Sequence, residues 1–355
     1  MGKIKYAITL KPDGRCMHPF KKGYNDETMT MLYTEDHFLG LECVGLSNGT
    51  LELLVTQKVG PRILSLRLPG RENLLAELPD FVLAGPGGQP LHLWGGHRLW
   101  YAPEVREITY LPDNAPVEIT PIARGMRVVQ PAEVGTGMQK SLTITMPNER
   151  AMVVVEHTLT NGGSRPRLCA PWAITQLKSG GFAILPQKNT PTDVAGLQPN
   201  RALVLWPYTD INNPFIHWGN QYVFVQAEPA RTEARGVEPA SEWHLKIGWP
   251  NPSGWMAYQW QDMLFIKEAV YQPETIYFDM GSSSQCYCRP GFIELETLGP
   301  RTLLEPGQTV HHKEVWHVLS PINLGMNESD AAAFATGWKN LAWFSSALQI
   351  DRTIG

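Results

Sequence analysis

The sequence predicts an all-β fold with few helices and a helical C-terminal tail. Gly (32 residues) and Pro (29 residues) recur along the whole 355-residue chain. Short runs of alternating apolar and polar residues fill the intervals, a pattern typical of many short strands joined by turns. Hydrophobic residues make up 43% of the chain and charged residues 18%, a composition that supports a packed core and argues against disorder.

The predicted strands begin with a hairpin whose turn contains Asn48 and Gly49. This pair favours a type I′ turn, in which both central residues take positive φ angles. The next predicted strand covers residues 62–68, where apolar residues alternate with polar ones. The apolar residues are Ile63, Leu64, Leu66 and Leu68. Further strands are predicted over 117–123, 126–129, 141–146, 152–159, 203–206, 222–226, 244–248, 263–267, 292–297 and 309–319.

The clearest helical pattern lies at residues 330–348. Ser329 or Asp330 can cap it, and Phe334, Trp338 and Leu341 fall at helical spacing. No linker-like segment and no repeat divides the chain. We therefore expect an N-terminal extension over 1–30, one β-rich domain over 31–322 and a helical tail over 323–355.

Charge and hydropathy exclude several classes of function. Lys+Arg (30) and Asp+Glu (34) nearly balance, so we expect no nucleic-acid partner. No run approaches the roughly 20 apolar residues of a membrane-spanning helix, and the N-terminal sequence lacks the apolar core of a signal peptide. We therefore expect no membrane partner and a cytoplasmic protein. Five cysteines, an odd number, do not indicate a disulfide framework; the oligomeric state is left open.

Residues 91–104 hold the densest group of chemically active side chains. Gly95-Gly96 and Pro103 predict an irregular loop. We interpret His97, Arg98, Trp100 and Glu104 as ligand-site candidates, because so many polar groups in one loop are costly to bury without a purpose. The alternative is that Arg98 and Glu104 form an ion pair that fixes the loop. His92 and His97 are not on a helix that would align their rings, so no metal is expected.

The second group is the pair Glu294 and Glu296. On a strand, alternate residues point to the same face, so both carboxylates share one face. Two carboxylates in a closed site cannot both ionise easily, which is how a protein produces a general acid or base near neutral pH. The alternative is an ordinary sheet with one solvated face.

Other polar residues allow two interpretations. His157 is expected to be a hydrogen-bonded sheet histidine rather than a catalyst, while Lys246 and Lys267 are expected to be strand-surface lysines, either of which can reach a ligand hydroxyl. Tryptophans beside Gly or Pro either pack in the core or offer flat faces to sugar rings; these are Trp94, Trp206, Trp218, Trp249 and Trp255. Cys286-x-Cys288 lacks the second pair of a zinc site. Since nucleotide-binding motifs are also absent, no cofactor is expected.

Several motifs, in order, resemble those of the galactose-mutarotase-like (aldose 1-epimerase) superfamily. The chain is most similar to an uncharacterised family within it. The resemblance covers roughly residues 32–319. It rests on the strands LLVT and VGPRI at 53–63, the loop WGGHRLWYAPE at 94–104, KIGWPNPSGWMAY at 246–258, FIELETLGP at 292–300 and LEPGQ at 304–308.

This resemblance implies a β-supersandwich that binds a carbohydrate or glycan and works without a cofactor. In active members a Glu removes the proton of the anomeric hydroxyl while a His protonates the ring oxygen. Glu296 matches the base, with Glu294 as a neighbour that can replace or tune it. Arg98 would bind a hydroxyl. The other residues of the predicted binding set are Trp100, Glu104, Arg62, Trp172 and Lys246.

The sequence departs from that pattern at the acid. Residues 171–175, where active epimerases carry this His, read Pro-Trp-Ala-Ile-Thr. Either His97 supplies the proton from a shifted position, or the chain binds sugar without catalysis. A scaffold for a protein partner is a third hypothesis. Cleavage of a glycosidic bond is disfavoured, because Glu294 and Glu296 would lie on one strand face rather than astride a substrate.

Overall fold

The computed structural model describes residues 5–7, 32–147, 150–228 and 243–339. Within them the chain forms two compact units. Unit 1 consists of Met1–Leu177 and Arg301–His312, and unit 2 of Lys178–Pro300 and Lys313–Gly355. Apart from one short strand, the predicted N-terminal extension lies outside the described residues, and the division at 31–322 and 323–355 stays a prediction.

Unit 1 is built almost entirely from strands. They are β1 (Lys5–Ala7), β2 (Leu32–Phe38), β3 (Leu41–Ser47), β4 (Glu52–Thr56), β5 (Arg62–Arg67), β6 (Glu77–Ala84), β7 (Pro90–Gly95), β8 (His97–Ala102), β9 (Glu118–Ile122), β10 (Gly125–Val129), β11 (Met138–Thr145), β12 (Met152–Asn161) and β13 (Arg167–Lys178, whose last residue belongs to unit 2). A 3₁₀ turn covers Pro86–Gly88, and the short helix α1 covers Arg106–Thr109.

The strands of unit 1 pair antiparallel. One sheet has the order β1-β2-β3-β4-β5-β8-β13, and a second has the order β12-β11-β10-β9. Strands β6 and β7 pair with each other as a separate hairpin, which lies in sequence between the neighbours β5 and β8. The register of β5 and β8 sets Arg62 opposite Arg98 and Ile63 opposite His97. A core cluster of Cys43, Leu54 and Leu64 packs inside the unit.

Two local expectations for unit 1 are wrong. The Asn48-Gly49 hairpin is not a type I′ turn, because only Gly49 has a positive φ (85°) and the loop between Ser47 and Glu52 has four residues. The Asn48 side chain explains the difference, since its Oδ1 accepts the N–H groups of Thr50 and Leu51. The predicted loop at 91–104 is instead mainly the strands β7 and β8, with positive φ angles at Trp94, Gly95 and Gly96 where the two strands meet.

Unit 2 continues the strand pattern. It contains β14 (Phe182–Pro186), β15 (Val204–Leu205), β16 (Ile216–Trp218), β17 (Tyr222–Gln226), β18 (Leu245–Trp249), β19 (Trp255–Trp260), β20 (Met263–Ala269), β21 (Ser284–Arg289) and β22 (Phe292–Leu298). Strand β23 (Thr302–Leu304) returns to unit 1, where it pairs with β13. The final strand β24 (Thr309–Leu319) begins in unit 1 and enters unit 2 at Lys313.

Within unit 2 the strands again pair antiparallel. The two series are β22-β21-β18-β15 and β16-β17-β14-β19-β20-β24. Strand β22 is buried along its whole length, so any polar side chain on it must find a partner inside the protein. A short helical turn, α2 (Phe278–Gly281), precedes β21.

The C-terminal helix α3 (Glu328–Lys339) confirms the predicted helix as far as the described residues reach. It packs against the second strand series of unit 2. Its residues Ala331, Ala335 and Trp338 join a core with sheet residues that include Tyr222 and Trp255. Among the helices that the structure describes, none is long and apolar enough to cross a membrane.

Candidate functional site

One face of the β18-β21-β22 series collects polar side chains. The register sets Tyr287 opposite both Glu294 and Lys246, and Gln285 opposite both Glu296 and Gly248. Because strand side chains alternate, all these residues share one face, while Cys286, Cys288, Ile293 and Leu295 point to the other. The alternation predicted for Glu294 and Glu296 is thus confirmed. We call this set the carboxylate face: Lys246, Gln285, Tyr287, Glu294 and Glu296.

The centre of the carboxylate face is an ion pair. Lys246 Nζ lies 2.8 Å from Glu296 Oε2, and the two side chains are 5% and 0% exposed. The solvated-face alternative for the glutamates is therefore wrong, as is the expectation of surface lysines, since Lys267 is buried as well. A buried carboxylate is tolerated only with a close, hydrogen-bonded counter-charge. The pair lies within one sheet face, and the small exposure that is left belongs to Lys246.

Tyr287 adds a hydrogen-bond donor beside Glu294. Burial raises the pKa of the Tyr287 phenol, and the negative charge of Glu294 raises it further. At neutral pH the phenol therefore keeps its proton. Glu294 is 8% exposed, against 0% for Glu296, so of the two carboxylates Glu294 is the more accessible to solvent.

Gln285 leaves an acceptor unused. Its side chain is fully buried, and Nε2 donates to Asp279 Oδ2 over 2.6 Å. Gln285 Oε1 has no hydrogen-bond partner among the described residues. Most buried side-chain oxygens are satisfied, so this atom is an exception: a buried acceptor without a partner in the described part of the chain. Asp279 belongs to a turn in which both it and Met280 have left-handed backbone angles.

An indole ring borders the ion pair. Lys246 Nζ lies 4.9 Å from the ring centroid of Trp206, within the range of a cation–π contact. Gly248 allows this arrangement, because a Cβ at that position would lie 3.2 Å from a Trp206 ring atom and 2.4 Å from Ser282 Oγ. Trp206 is half-buried, so part of its ring is exposed to solvent.

The other tryptophans beside Gly or Pro divide between the two interpretations. Trp249 and Trp255 are 1% and 2% exposed and belong to the core. Trp218 is 41% exposed, and its Nε1 donates to the carbonyl of Ile211. Trp94 is half-buried and packs beside the core cluster of unit 1.

In unit 1, three of the predicted binding residues meet. The Arg98 guanidinium lies 4.4 Å from the Trp100 ring centroid and donates to Gln176 Oε1 over 2.8 Å. Trp100 and Trp172 face each other in the β8–β13 register, with centroids 5.4 Å apart in an edge-on arrangement. We call these three residues the arginine–tryptophan cluster.

Arg62 and Glu104 make local contacts instead. Arg62 is fully buried, donates to the carbonyl of Leu93 and pairs with Asp113 at 2.8 Å. Glu104 is exposed and accepts the hydroxyl of Tyr110, so the Arg98–Glu104 ion pair considered as the alternative is not formed. These contacts fix backbone segments, and a binding role for either residue stays a prediction.

His97 lies inside unit 1. It is fully buried, with Nδ1 2.9 Å from Thr175 Oγ1 and Nε2 2.8 Å from His157 Nε2. His157 in turn faces the carbonyl of His312 through Nδ1, which agrees with the expected role of a hydrogen-bonded sheet histidine. With both ring nitrogens engaged, this geometry favours a structural role for His97, and its role as a catalytic acid stays a prediction.

Sequence reasoning missed Gln285 and Tyr287. The segment Ser284–Arg289 reads SQCYCR. No strand was predicted there, because the segment contains several polar residues. Counted as apolar, Cys286 and Cys288 give a period-two alternation with Gln285, Tyr287 and Arg289 on the opposite face. That signal was available in the sequence.

Comparison with known proteins supports the fold. No protein-family model matches the sequence, and no curated protein matches it either. A candidate aldose 1-epimerase from Klebsiella pneumoniae is similar in structure, with a TM-score of 0.57 and 11% identity over 95% of each chain. A TPR-domain-containing protein from Parabacteroides distasonis aligns with a TM-score of 0.53 and 11% identity over 81% of this chain. This chain spans only about half of that protein, 49% of its length.

At such identities the similarity shows the fold alone. The β-rich, galactose-mutarotase-like architecture with a C-terminal helix is the one that the sequence predicts, and that prediction is confirmed.

Proposed function

We propose that the chain binds a carbohydrate on the carboxylate face of unit 2. The observation that carries the proposal is the buried Glu296–Lys246 pair, flanked by Glu294 on the same face and by the Trp206 ring. Sugars present hydroxyl groups that both donate and accept, and apolar C–H faces that stack on indole. The face offers carboxylate acceptors, the ammonium and phenol donors and the buried, unsatisfied Gln285 Oε1, which are the few convergent polar groups of a small-molecule site.

The same face suits anomer interconversion. Glu296 removes the proton of the anomeric hydroxyl, the C1–O1 bond becomes a carbonyl, and the C1–O5 bond breaks as the ring oxygen takes a proton. Rotation about C1–C2 and reversal of these steps give the other anomer. No net proton, electron or atom is gained or lost, so no cofactor is needed, and each proton transfer is ordinary acid–base catalysis.

Lys246 is well placed to supply the second proton. The two oxygens that exchange protons are bonded to the same carbon, so the base and the acid must lie close together. Lys246 Nζ, 2.8 Å from Glu296 Oε2, meets that requirement within one sheet face. The predicted acid, His97, has both ring nitrogens engaged inside unit 1. We therefore assign the role of the acid to Lys246. His97 is the second candidate for this role, and a variant at His97 provides the comparison.

The experiment is NMR exchange spectroscopy of the anomers of D-glucose and D-galactose, with and without the protein. We expect faster exchange with the wild type. Glu296→Gln should lower the rate by about 10² to 10⁴. Glu274→Gln, which changes an exposed glutamate of unit 2, is the matched control and should leave the rate unchanged. Glu296→Gln/Lys246→Met removes both charges and controls for an unpaired lysine.

His97→Asn separates the two candidate acids. If it abolishes exchange while Lys246→Met does not, the assignment of Lys246 is wrong. If no sugar binds and none exchanges faster than in buffer, the proposed function itself is wrong.

A non-catalytic carbohydrate-binding protein is the second candidate. Two observations favour it: residues 171–175 contain no histidine, and Trp172 there packs edge-on against Trp100. It predicts saturable sugar binding in ligand-observed NMR without acceleration of anomer exchange. Binding that is unaffected by both Trp206→Ala and Trp100→Ala would contradict it.

A further inference from the structure

A depression lies in unit 2 beside the carboxylate face. It is a cavity of about 350 Å³. We call it the aromatic pocket, and the residues that line it are Tyr208, Asp210, Asn213, Pro214, Phe215, Trp243 and His244. None of these residues was singled out from the sequence, and the proposed chemistry does not use them.

Aromatic rings form the walls of the pocket. Phe215 and Trp243 stack with centroids 4.6 Å apart and an interplanar angle of 20°. Tyr208 and His244 form a second pair with centroids 4.3 Å apart. Tyr208 is 41% exposed and Trp243 half-buried, so solvent reaches the rings. Flat, partly wet aromatic surfaces match the C–H faces of a neutral sugar ring.

Two polar side chains complete the lining. Asp210 Oδ1 accepts the N–H of Asn212, and Asn213 Oδ1 accepts the N–H of Phe215. Asp210 Oδ2 and Asn213 Nδ2 are the other polar atoms of these two side chains, and Asn213 is only 8% exposed. They offer one acceptor and one donor, the combination that a hydroxyl group satisfies. No lysine or arginine lines the described part of the pocket, so nothing there favours a phosphate or another anion.

The aromatic pocket adjoins the carboxylate face through Tyr287. The Tyr287 ring lies 6.5 Å from Tyr208 and 6.2 Å from His244, centroid to centroid. Tyr287 is also the register neighbour of Lys246 and Glu294. The Thr209 hydroxyl fixes the segment by bonding to the main chain of Lys246. The two sites thus share a wall and lie within reach of one extended ligand.

We infer that the ligand is a neutral disaccharide or longer glycan, with one ring on the carboxylate face and the next ring in the aromatic pocket. This inference rests on the proposed carbohydrate-binding function. It adds that the second ring contributes affinity that a monosaccharide cannot have.

The test is isothermal titration of the whole chain with matched pairs of sugars: D-glucose against maltose and cellobiose, and D-galactose against lactose. We expect at least one disaccharide to bind ten-fold or more tightly than its monosaccharide. Trp243→Ala should reduce that advantage to less than three-fold and leave monosaccharide affinity unchanged. Asp210→Asn, which preserves shape, should reduce it three- to ten-fold. Tyr271→Ala, an aromatic truncation of unit 2 outside the pocket, is the control.

The outcomes distinguish the two proposals. If monosaccharides bind but no disaccharide binds more tightly, or if the advantage persists in both Trp243→Ala and Asp210→Asn, the inference is wrong while the proposed function stands. If no sugar of either size binds, both are wrong. Thermal unfolding of each variant shows whether a lost advantage reflects a lost fold.

Discussion

Lys267 Nζ lies 2.8 Å from Glu314 Oε1, and neither side chain is exposed at all. The ammonium also donates to the carbonyl of Leu295 over 2.9 Å. The carboxylate accepts from Trp316 Nε1 over 2.8 Å and from the hydroxyl of Thr297. Burial lowers the pKa of Lys267, and the negative charge of Glu314 opposes that shift. The charges of Glu296 and Glu294 act in the same direction as that of Glu314, so this buried pair is electrostatically coupled to the carboxylate face.

Lys267→Met should destabilise the protein by about 3–5 kcal/mol, because it leaves Glu314 buried without its counter-charge. Equilibrium urea unfolding measures the loss. The double variant Lys267→Met/Glu314→Gln should recover at least half of it, since no net charge stays buried and the amide oxygen still accepts from Trp316. A single variant within about 1 kcal/mol of the wild type would show that the pair does not matter for stability.

The turn between β7 and β8 predicts a second stability effect. Gly96 has a φ of +71°, and a Cβ there would lie 2.1 Å from the carbonyl oxygen of Ile63. Gly96→Ala should therefore combine about 1–2 kcal/mol of left-handed strain with an overpacking cost of about 1–3 kcal/mol. Gly88→Ala is a matched control, because Gly88 has a similar φ of +76° with nothing within 4 Å of the added Cβ.

Only the strain contribution is expected for Gly88→Ala. Urea unfolding gives the loss of unfolding free energy for each variant. The difference between the two losses is the contribution of the steric clash at Gly96. Equal losses would mean that the backbone at Gly96 moves freely enough to accept a side chain.

Strands with regular alternation could be predicted from the sequence, and others could not. Met152–Asn161 and Phe292–Leu298 carry clear apolar patterns and were identified. Arg167–Lys178 was missed because Pro166 and Pro171 argue against a strand. In the structure Pro171 lies within the sheet, opposite Tyr101. At this position the pairing with neighbouring strands outweighs the low strand propensity of proline.

The site was predictable only in part, for a related reason. Alternation alone puts Glu294 and Glu296 on one face. Lys246 lies 50 residues before Glu296 in the sequence. The two side chains meet because of the strand order β18-β21-β22, which is set by non-local strand pairing. Lys246 therefore resembled a surface lysine in the sequence. The aromatic pocket was missed because its rings come from two separate loop segments.

The attachment of α3 gives a third prediction. Trp338 is 2% exposed and its Nε1 donates to Glu268 Oε1 over 3.1 Å, while its ring packs edge-on against His317 at 4.8 Å. Trp338→Ala should remove this anchor and abolish the hydrogen-exchange protection of residues 328–339, at a cost of about 3–5 kcal/mol. Trp338→Phe keeps most of the packing but loses the donor, and should cost about 1–3 kcal/mol.

Mass-spectrometric hydrogen exchange distinguishes these outcomes. If the helix keeps its protection in Trp338→Ala, then Ala331 and Ala335 hold it without the tryptophan.

Buried thiols predict a loss of stability at alkaline pH. Burial raises the pKa of Cys43 and of Cys169 from 9.0 to about 11. Above pH 9 the unfolded chain releases these protons while the folded chain keeps them, so the unfolded state binds fewer protons and the free energy of unfolding falls as pH rises. The contribution is complete below pH 9 and is lost as pH approaches about 11. Urea midpoints measured with a reductant from pH 8 to 11 should fall accordingly. Cys43→Ala/Cys169→Ala should give a shallower decline, and an unchanged slope would show that these thiols do not cause it.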